Sequence, residues 1–249
     1  MYSKGHGGNI YDEAINYDFS VNTNPLGMPE DVKEKLKENL GDICEVYPEE
    51  TCYELRKSIS LKENISEHQI ICGNGASELI YGLVRAIRPQ KALVVVPSFS
   101  EYIRALRAED TQMVYYHLAP ERDFIVAEDI MSYLTPDIDM VFLCSPDNPT
   151  GKLIDRSMLW KILARCETYG IRMVLDECFI DFAENAATAS ILADTKRWRT
   201  LFILRSLTKM HAIPGIRIGY AVTSDMEFLE KMEQSRQPWS VSIPAQAAG

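Results

Sequence analysis

The chain reads as an α/β protein built on a doubly wound, mostly parallel sheet of seven strands. Two observations predict this. Most of seven short strand candidates are near-continuously apolar and rich in β-branched residues, as in Leu93-Val94-Val95-Val96 and Met173-Val174-Leu175, the pattern of strands covered on both faces. Amphipathic stretches separate most of these runs, and strand alternating with helix makes a parallel sheet with helical crossovers. In chain order the strands are expected at 69–73, 91–97, 111–118, 140–146, 172–178, 201–207 and 217–224. The helices are expected at 76–87, 99–108, 127–134, 155–169 and 225–233. The last two strands are joined only by residues 208–216, too few for a helical crossover, so that pair is expected to run antiparallel. Residues 1–60 differ in character: a Gly- and Asn-rich arm, a helix over about residues 30–40, then a turn at Tyr47-Pro48. They read as an N-terminal arm and part of a small domain, with 61–249 as the large domain.

Composition narrows the function classes. A chain of 249 residues with 46% hydrophobic content can bury the core of one large domain or two smaller ones. A net charge of −10 argues against a nucleic-acid partner, which would favour a basic face. No uninterrupted apolar run approaches the ~20 residues needed to cross a bilayer. The start, Met1-Tyr2-Ser3-Lys4-Gly5-His6-Gly7-Gly8, lacks the apolar centre of a signal peptide. The six cysteines (Cys44, Cys52, Cys72, Cys144, Cys166, Cys178) have no CxxC spacing and the four histidines are scattered. Reduced thiols, a cytoplasmic location and no metal site are the expectation.

The chemistry gathers where strands end. Gly73-Asn74-Gly75-Ala76-Ser77 follows the first strand and opens a helix. Glycines let the backbone approach an anion, and a helix start offers free N–H groups. A dinucleotide fold is the rival reading. Against it, Glu78 replaces the third glycine of the fingerprint and no acidic residue ends the second strand. Phe99, after the second strand, is placed equally well to stack on a flat ring or to join the core. Asn148 sits in a Pro-flanked turn. Asp176 closes an apolar strand, where a carboxylate needs a cation or strong donors, whether a structural ion pair or a ligand. Ser206-Leu207-Thr208-Lys209 and then Arg217 place two hydroxyls, an amine and a guanidinium together. An amine for an aldehyde, a carboxylate for a pyridine nitrogen and donors for a phosphate dianion are what pyridoxal phosphate requires.

In that order, Gly-Asn-Gly-Ala-Ser, Pro-Ser-Phe, Asn-Pro-Thr-Gly, Asp-Glu-x-Phe and Ser-x-Thr-Lys…Arg, the chain resembles the fold-type I pyridoxal-phosphate aminotransferases. Within them it is similar to the branch that holds the histidinol-phosphate aminotransferases and the threonine-phosphate decarboxylases of cobalamin biosynthesis. The decarboxylases are the nearer likeness, through His6-Gly7-Gly8-Asn9-Ile10-Tyr11, Asp18–Gly27 and Gln237-Pro238-Trp239-Ser240-Val241. The likeness covers essentially the whole chain.

The resemblance implies roles residue by residue. Lys209 would bond the cofactor aldehyde and Asp176 would pair with the ring nitrogen. Asn148 would lie near the ring hydroxyl and substrate carboxylate, and Phe99 would stack on the ring. Gly75, Ala76, Ser77, Ser206, Thr208 and Arg217 would hold the cofactor phosphate. Tyr47 resembles a tyrosine that reaches the phosphate site of a second subunit, implying a homodimer. His6, Gly7 and Asn22 match positions that contact a phosphorylated amino-acid substrate. Two departures stand out. Phe179 occupies a position that is tyrosine in many aminotransferases of the branch, which turns the expectation toward decarboxylation. The enzymes it resembles also continue into a C-terminal small domain whose arginines grip the substrate, whereas this sequence stops at Gly249. The implied activity is decarboxylation of threonine phosphate to an aminopropanol phosphate, with transamination as the alternative. A cofactor-binding chain impaired in catalysis is the third reading.

Overall fold

The structure, a computed structural model, describes residues 7, 8 and 17–249. Seven strands form one sheet: β1 (Ile70–Gly73), β2 (Lys91–Val96), β3 (Gln112–His117), β4 (Met140–Cys144), β5 (Arg172–Asp176), β6 (Leu201–Ser206) and β7 (Gly219–Val222). Their order is β1-β7-β6-β5-β4-β2-β3. From β6 across to β3 all neighbours are parallel, while β7 runs antiparallel to both β6 and β1. The short 208–216 connection therefore produces the antiparallel pair expected of it.

Helices α1 (Glu30–Ile43) and α2 (Tyr53–Glu63) precede the sheet. Then come α3 (Ala76–Ile87), α4 (Ser100–Ala108), α5 (Arg156–Tyr169), α6 (Ala186–Ala189), α7 (Met226–Ser235) and α8 (Ile243–Ala248). Alternate strand residues face opposite ways. Val94, Phe142, Val174, Phe202 and Leu204 meet α3, α4 and α7 through Leu79, Leu83, Tyr102, Leu106, Phe228 and Met232. Leu93, Val141, Leu143, Met173, Leu175 and Ile203 form the other core, with Leu55 and Ile59 of α2 and Leu159, Ile162 and Leu163 of α5. Because both faces are covered, nearly every central strand position is apolar.

Three local expectations change. The 127–134 helix is only a 3₁₀ stretch, Glu128–Ser132. Its i→i+3 bonds, Ile130 N–H to Ala127 and Tyr133 N–H to Ile130, stop short of Pro136, leaving too few residues to propagate an α-helix. The last strand begins at Gly219, because Arg217 adopts a left-handed backbone with φ 59°, which no strand accepts. Helix α2 has no counterpart in the sequence reading. Residue 60, the expected boundary between arm and large domain, lies inside it, with Leu55 and Ile59 packed in the sheet's core.

Candidate cofactor and substrate site

The site is built where parallel strands end. Register places Cys144 beside Asp176, Asp176 beside Leu204, and Ser206 beside Gly219, which also pairs with Gly73. Side chains that follow these positions converge on one cavity, lined by Ala76, Ser77, Phe99, Asn148, Asp176, Phe179, Ser206, Thr208, Lys209 and Arg217. Every expected cofactor residue except Tyr47 is in or beside it.

At the anion end, Gly75 precedes α3 with φ 78°, and no side chain caps the helix. Its first N–H groups are left for a ligand. The φ of 78° favours glycine here, and a Cβ at Gly75 would stand 2.3 Å from Arg217 Nη2, so any side chain would push the guanidinium from its place. The left-handed turn at Arg217 aims that group, and Arg217 Nη1 donates to the Pro214 carbonyl at 3.1 Å. Ser206 Oγ and Thr208 Oγ1 lie 2.9 Å apart, both buried, and the Thr208 N–H reaches Ser206 Oγ at 3.3 Å. Two hydroxyls, a guanidinium and an uncapped helix start form a cradle with the charge and donors a phosphate dianion needs.

At the other end is Asp176, only 4% exposed. Oδ1 accepts the Cys178 N–H at 2.9 Å and Oδ2 accepts the Tyr102 hydroxyl at 2.6 Å. Among the described residues no cation forms a salt bridge with this carboxylate, so the structural ion-pair alternative lacks a partner there. Tyr102 is fully buried, stacked on Phe142 at 4.8 Å and edge-on to Phe99 at 5.7 Å. Burial, then the Asp176 charge, pushes its hydroxyl well above the usual tyrosine range, so it stays a donor. Burial and Asp176 also raise the thiols of Cys144 and Cys178, which remain neutral. Asp147 is raised by burial despite the hydroxyls of Thr150 and Ser98 that bond to it, and it braces the Asn148 turn.

A wider cleft adjoins this cavity, with Lys209, Phe99, Asn148, Phe179, Ser77 and Arg217 lining both. Gly7, Asn22 and Thr23 of the arm form its other wall, so two of the expected substrate residues meet Asn148 there. His6 lies outside the described residues. Tyr47 lies elsewhere: 77% exposed, its ring 4.7 Å from that of Trp239, and outside its own chain's cavity.

Two contributors escaped the sequence reading. Tyr102 looks like any core aromatic of an amphipathic helix until its hydroxyl is seen on Asp176. Gly219 looks like a strand glycine. A Cβ there would stand 2.7 Å from Ala76 N and 3.1 Å from Gly75 C, so its absence lets the anion loop sit against β7. A glycine inside a strand is the one signal that pointed to such close approach.

Comparison with known proteins agrees with this geometry. The family described as "Aminotransferase class I and II" matches residues 15–249. The threonine-phosphate decarboxylase of Salmonella typhimurium is 37% identical over all of this chain and 70% of its own length. The histidinol-phosphate aminotransferase structure from Clostridium acetobutylicum superposes with a TM-score of 0.84 at 32% identity, over 92% of this chain and 66% of that one. The L-threonine-O-3-phosphate decarboxylase structure from Porphyromonas gingivalis gives 0.78 at 26%, with the same coverage of 92% and 66%. The chain thus spans about two thirds of the length of the proteins it matches.

Proposed function

The chain belongs to the aminotransferase class I and II family, a family of pyridoxal-phosphate enzymes, and from that premise we propose that it serves the decarboxylation of threonine phosphate. The observation that carries this reading is the 37% identity to a threonine-phosphate decarboxylase across the whole chain. Phe179 in the cavity wall, which offers no hydroxyl, supports it.

The residues present fit the cofactor: the Gly75 gap filled by Arg217 and the buried, twice-bonded Asp176 suit its two charged ends. When bound, pyridoxal phosphate supplies an electron sink for bonds at the substrate's Cα. Asp176 would hold a proton at the ring nitrogen, and the Tyr102 hydroxyl and Cys178 N–H orient its carboxylate. Ser206, Thr208, Arg217 and the start of α3 would anchor the phosphate. Phe99 would cover the ring, and Asn148 would offer its amide to the ring hydroxyl and the substrate carboxylate. Lys209, lining both cavity and cleft, is the amine that would hold the cofactor through its aldehyde. The same amine would be placed to carry to the substrate's Cα the proton that replaces the lost carbon dioxide. Gly7 and Asn22 contact the phosphorylated end of the substrate.

The reading includes a homodimer in which Tyr47 reaches a second subunit's phosphate site, and a cytoplasmic location. Among the described residues no helix is long and apolar enough to cross a membrane. The alternative is transamination, favoured by the higher TM-score to a histidinol-phosphate aminotransferase. Supplying threonine phosphate in one reaction, and histidinol phosphate with 2-oxoglutarate in another, separates the two. Carbon dioxide and an aminopropanol phosphate from the first support decarboxylation; glutamate from the second overturns it. Borohydride treatment of the cofactor-loaded protein, followed by peptide mapping, should label Lys209, and label on another lysine would remove it from this role.

A further inference from the structure

The arm does more than wall the cleft. Asn22 and Thr23 line it, and Asn24, the next residue, is bonded to the loop that carries Lys209. The Asn24 N–H donates to the Lys209 carbonyl at 3.0 Å, and its side-chain amide donates to the Met210 carbonyl at 2.9 Å. The side-chain oxygen meanwhile accepts the Leu26 N–H at 3.0 Å, and the Gly27 N–H returns to the Asn24 carbonyl at 3.2 Å. Asparagine suits this place because one short amide closes its own turn with the oxygen and spends its N–H₂ on a neighbour. The loop it grips turns sharply. The Lys209 carbonyl also accepts the Ala212 N–H at 3.3 Å, and Ala212 itself has φ 49°. Two successive carbonyls, those of Lys209 and Met210, are therefore held from the arm. The Lys209 side chain leaves the chain at that point.

We propose that Asn24 is a positioning residue for Lys209: seating the arm fixes the backbone from which the amine projects, so the cleft wall and the amine take their places together. The inference rests on the reading that Lys209 bonds the cofactor aldehyde. Asn24→Ala removes both side-chain functions. Asn24→Asp keeps the oxygen that closes the turn and loses the donor to Met210.

The measurement compares pyridoxal phosphate with pyridoxamine phosphate, which has the same ring and phosphate but no aldehyde to bond a lysine. Both variants should bind pyridoxal phosphate about fivefold to tenfold more weakly, the factor expected for loss of one hydrogen bond. Their affinity for pyridoxamine phosphate should match the parent's. Equal weakening toward both ligands, or toward neither, overturns the proposal. So does weakening in Asn24→Ala alone, which would confine Asn24 to its own turn. Failure of the parent to take borohydride label at Lys209 would instead remove the underlying reading.

Discussion

Asp176 is a carboxylate buried at the end of an apolar strand, and among the described residues two donors hold it, the Tyr102 hydroxyl and the Cys178 N–H. Tyr102→Phe deletes the 2.6 Å bond to Oδ2 and little else. A buried acceptor left without its partner costs about 1–3 kcal/mol. Urea unfolding of Tyr102→Phe should show a loss of that size, together with weaker cofactor binding. An unchanged midpoint would mean that another donor replaces the hydroxyl. Gly219→Ala acts at the opposite end of the site. Its Cβ would collide with backbone atoms of Gly75 and Ala76, which cannot swing aside as a side chain would. Overpacking of this kind costs about 1–3 kcal/mol. Because the displaced atoms begin α3, cofactor affinity measured by absorbance titration should fall by roughly tenfold. Normal affinity in a folded Gly219→Ala protein would contradict the close approach.

Among the elements, β5 and β6 are tied twice at their C-terminal ends. On the site face stand Asp176 and Ser206. On the other face their chain neighbours Glu177 and Arg205 form a buried ion pair, with Arg205 Nε 3.0 Å from Glu177 Oε2. The Ser190 hydroxyl and the Ile191 N–H complete the shell of Glu177 at 2.8 and 3.0 Å. Removing one member of such a pair strands the other charge, at about 3–5 kcal/mol. Glu177→Ala should therefore unfold far more readily than a double variant in which Glu177 and Arg205 both become apolar. Equal losses would show that the pair has no coupling.

The titration of two carboxylates is opposite in sign. Burial pushes Glu177 above the usual glutamate range, against the opposing Arg205, so its contribution is full below that range and is lost as pH rises through the folded value. For Asp225 burial also acts upward, but Arg172 and Arg199 outweigh it and hold the carboxyl below the usual aspartate range. Its contribution is present above that range and is lost as pH falls through the folded value. Asp225→Asn should lower stability near neutral pH and flatten the acid limb of the stability curve. An acid limb identical to the parent's would show that Asp225 is not its source.

At the scale of the whole molecule, the arm side leaves large apolar groups in solvent: Phe19 is 93% exposed, Leu26 90% and Tyr47 77%. Apolar surface so distributed favours association. Tyr47 also lies outside its own chain's cavity while resembling a residue that completes a second one. The proposed isologous two-fold dimer, in which each copy serves the other's site, would account for both. Sedimentation of the protein should show two copies, and Tyr47→Phe should weaken cofactor binding without unfolding the chain. A well-behaved monomer with full cofactor affinity would end the role given to Tyr47.

The amino-acid order alone determined the architecture and most of the site, for a physical reason. In an open parallel sheet, residues just past the ends of successive strands meet whatever the intervening helices do. Gly75, Asn148, Asp176, Ser206, Thr208 and Lys209 each follow or close an apolar run that reads as a strand, so their convergence was legible without coordinates. What only the tertiary structure decided depends on partners far apart in the chain. Tyr102 is indistinguishable from a core aromatic until the sheet brings Asp176 to its hydroxyl, and Asn24 is a turn asparagine until the arm lands on residues 209 and 210. Gly219 and α2 belong with them. The need for a glycine arises from the backbone of another loop, and the helix is held by core contacts through Leu55 and Ile59, which its local sequence pattern does not announce.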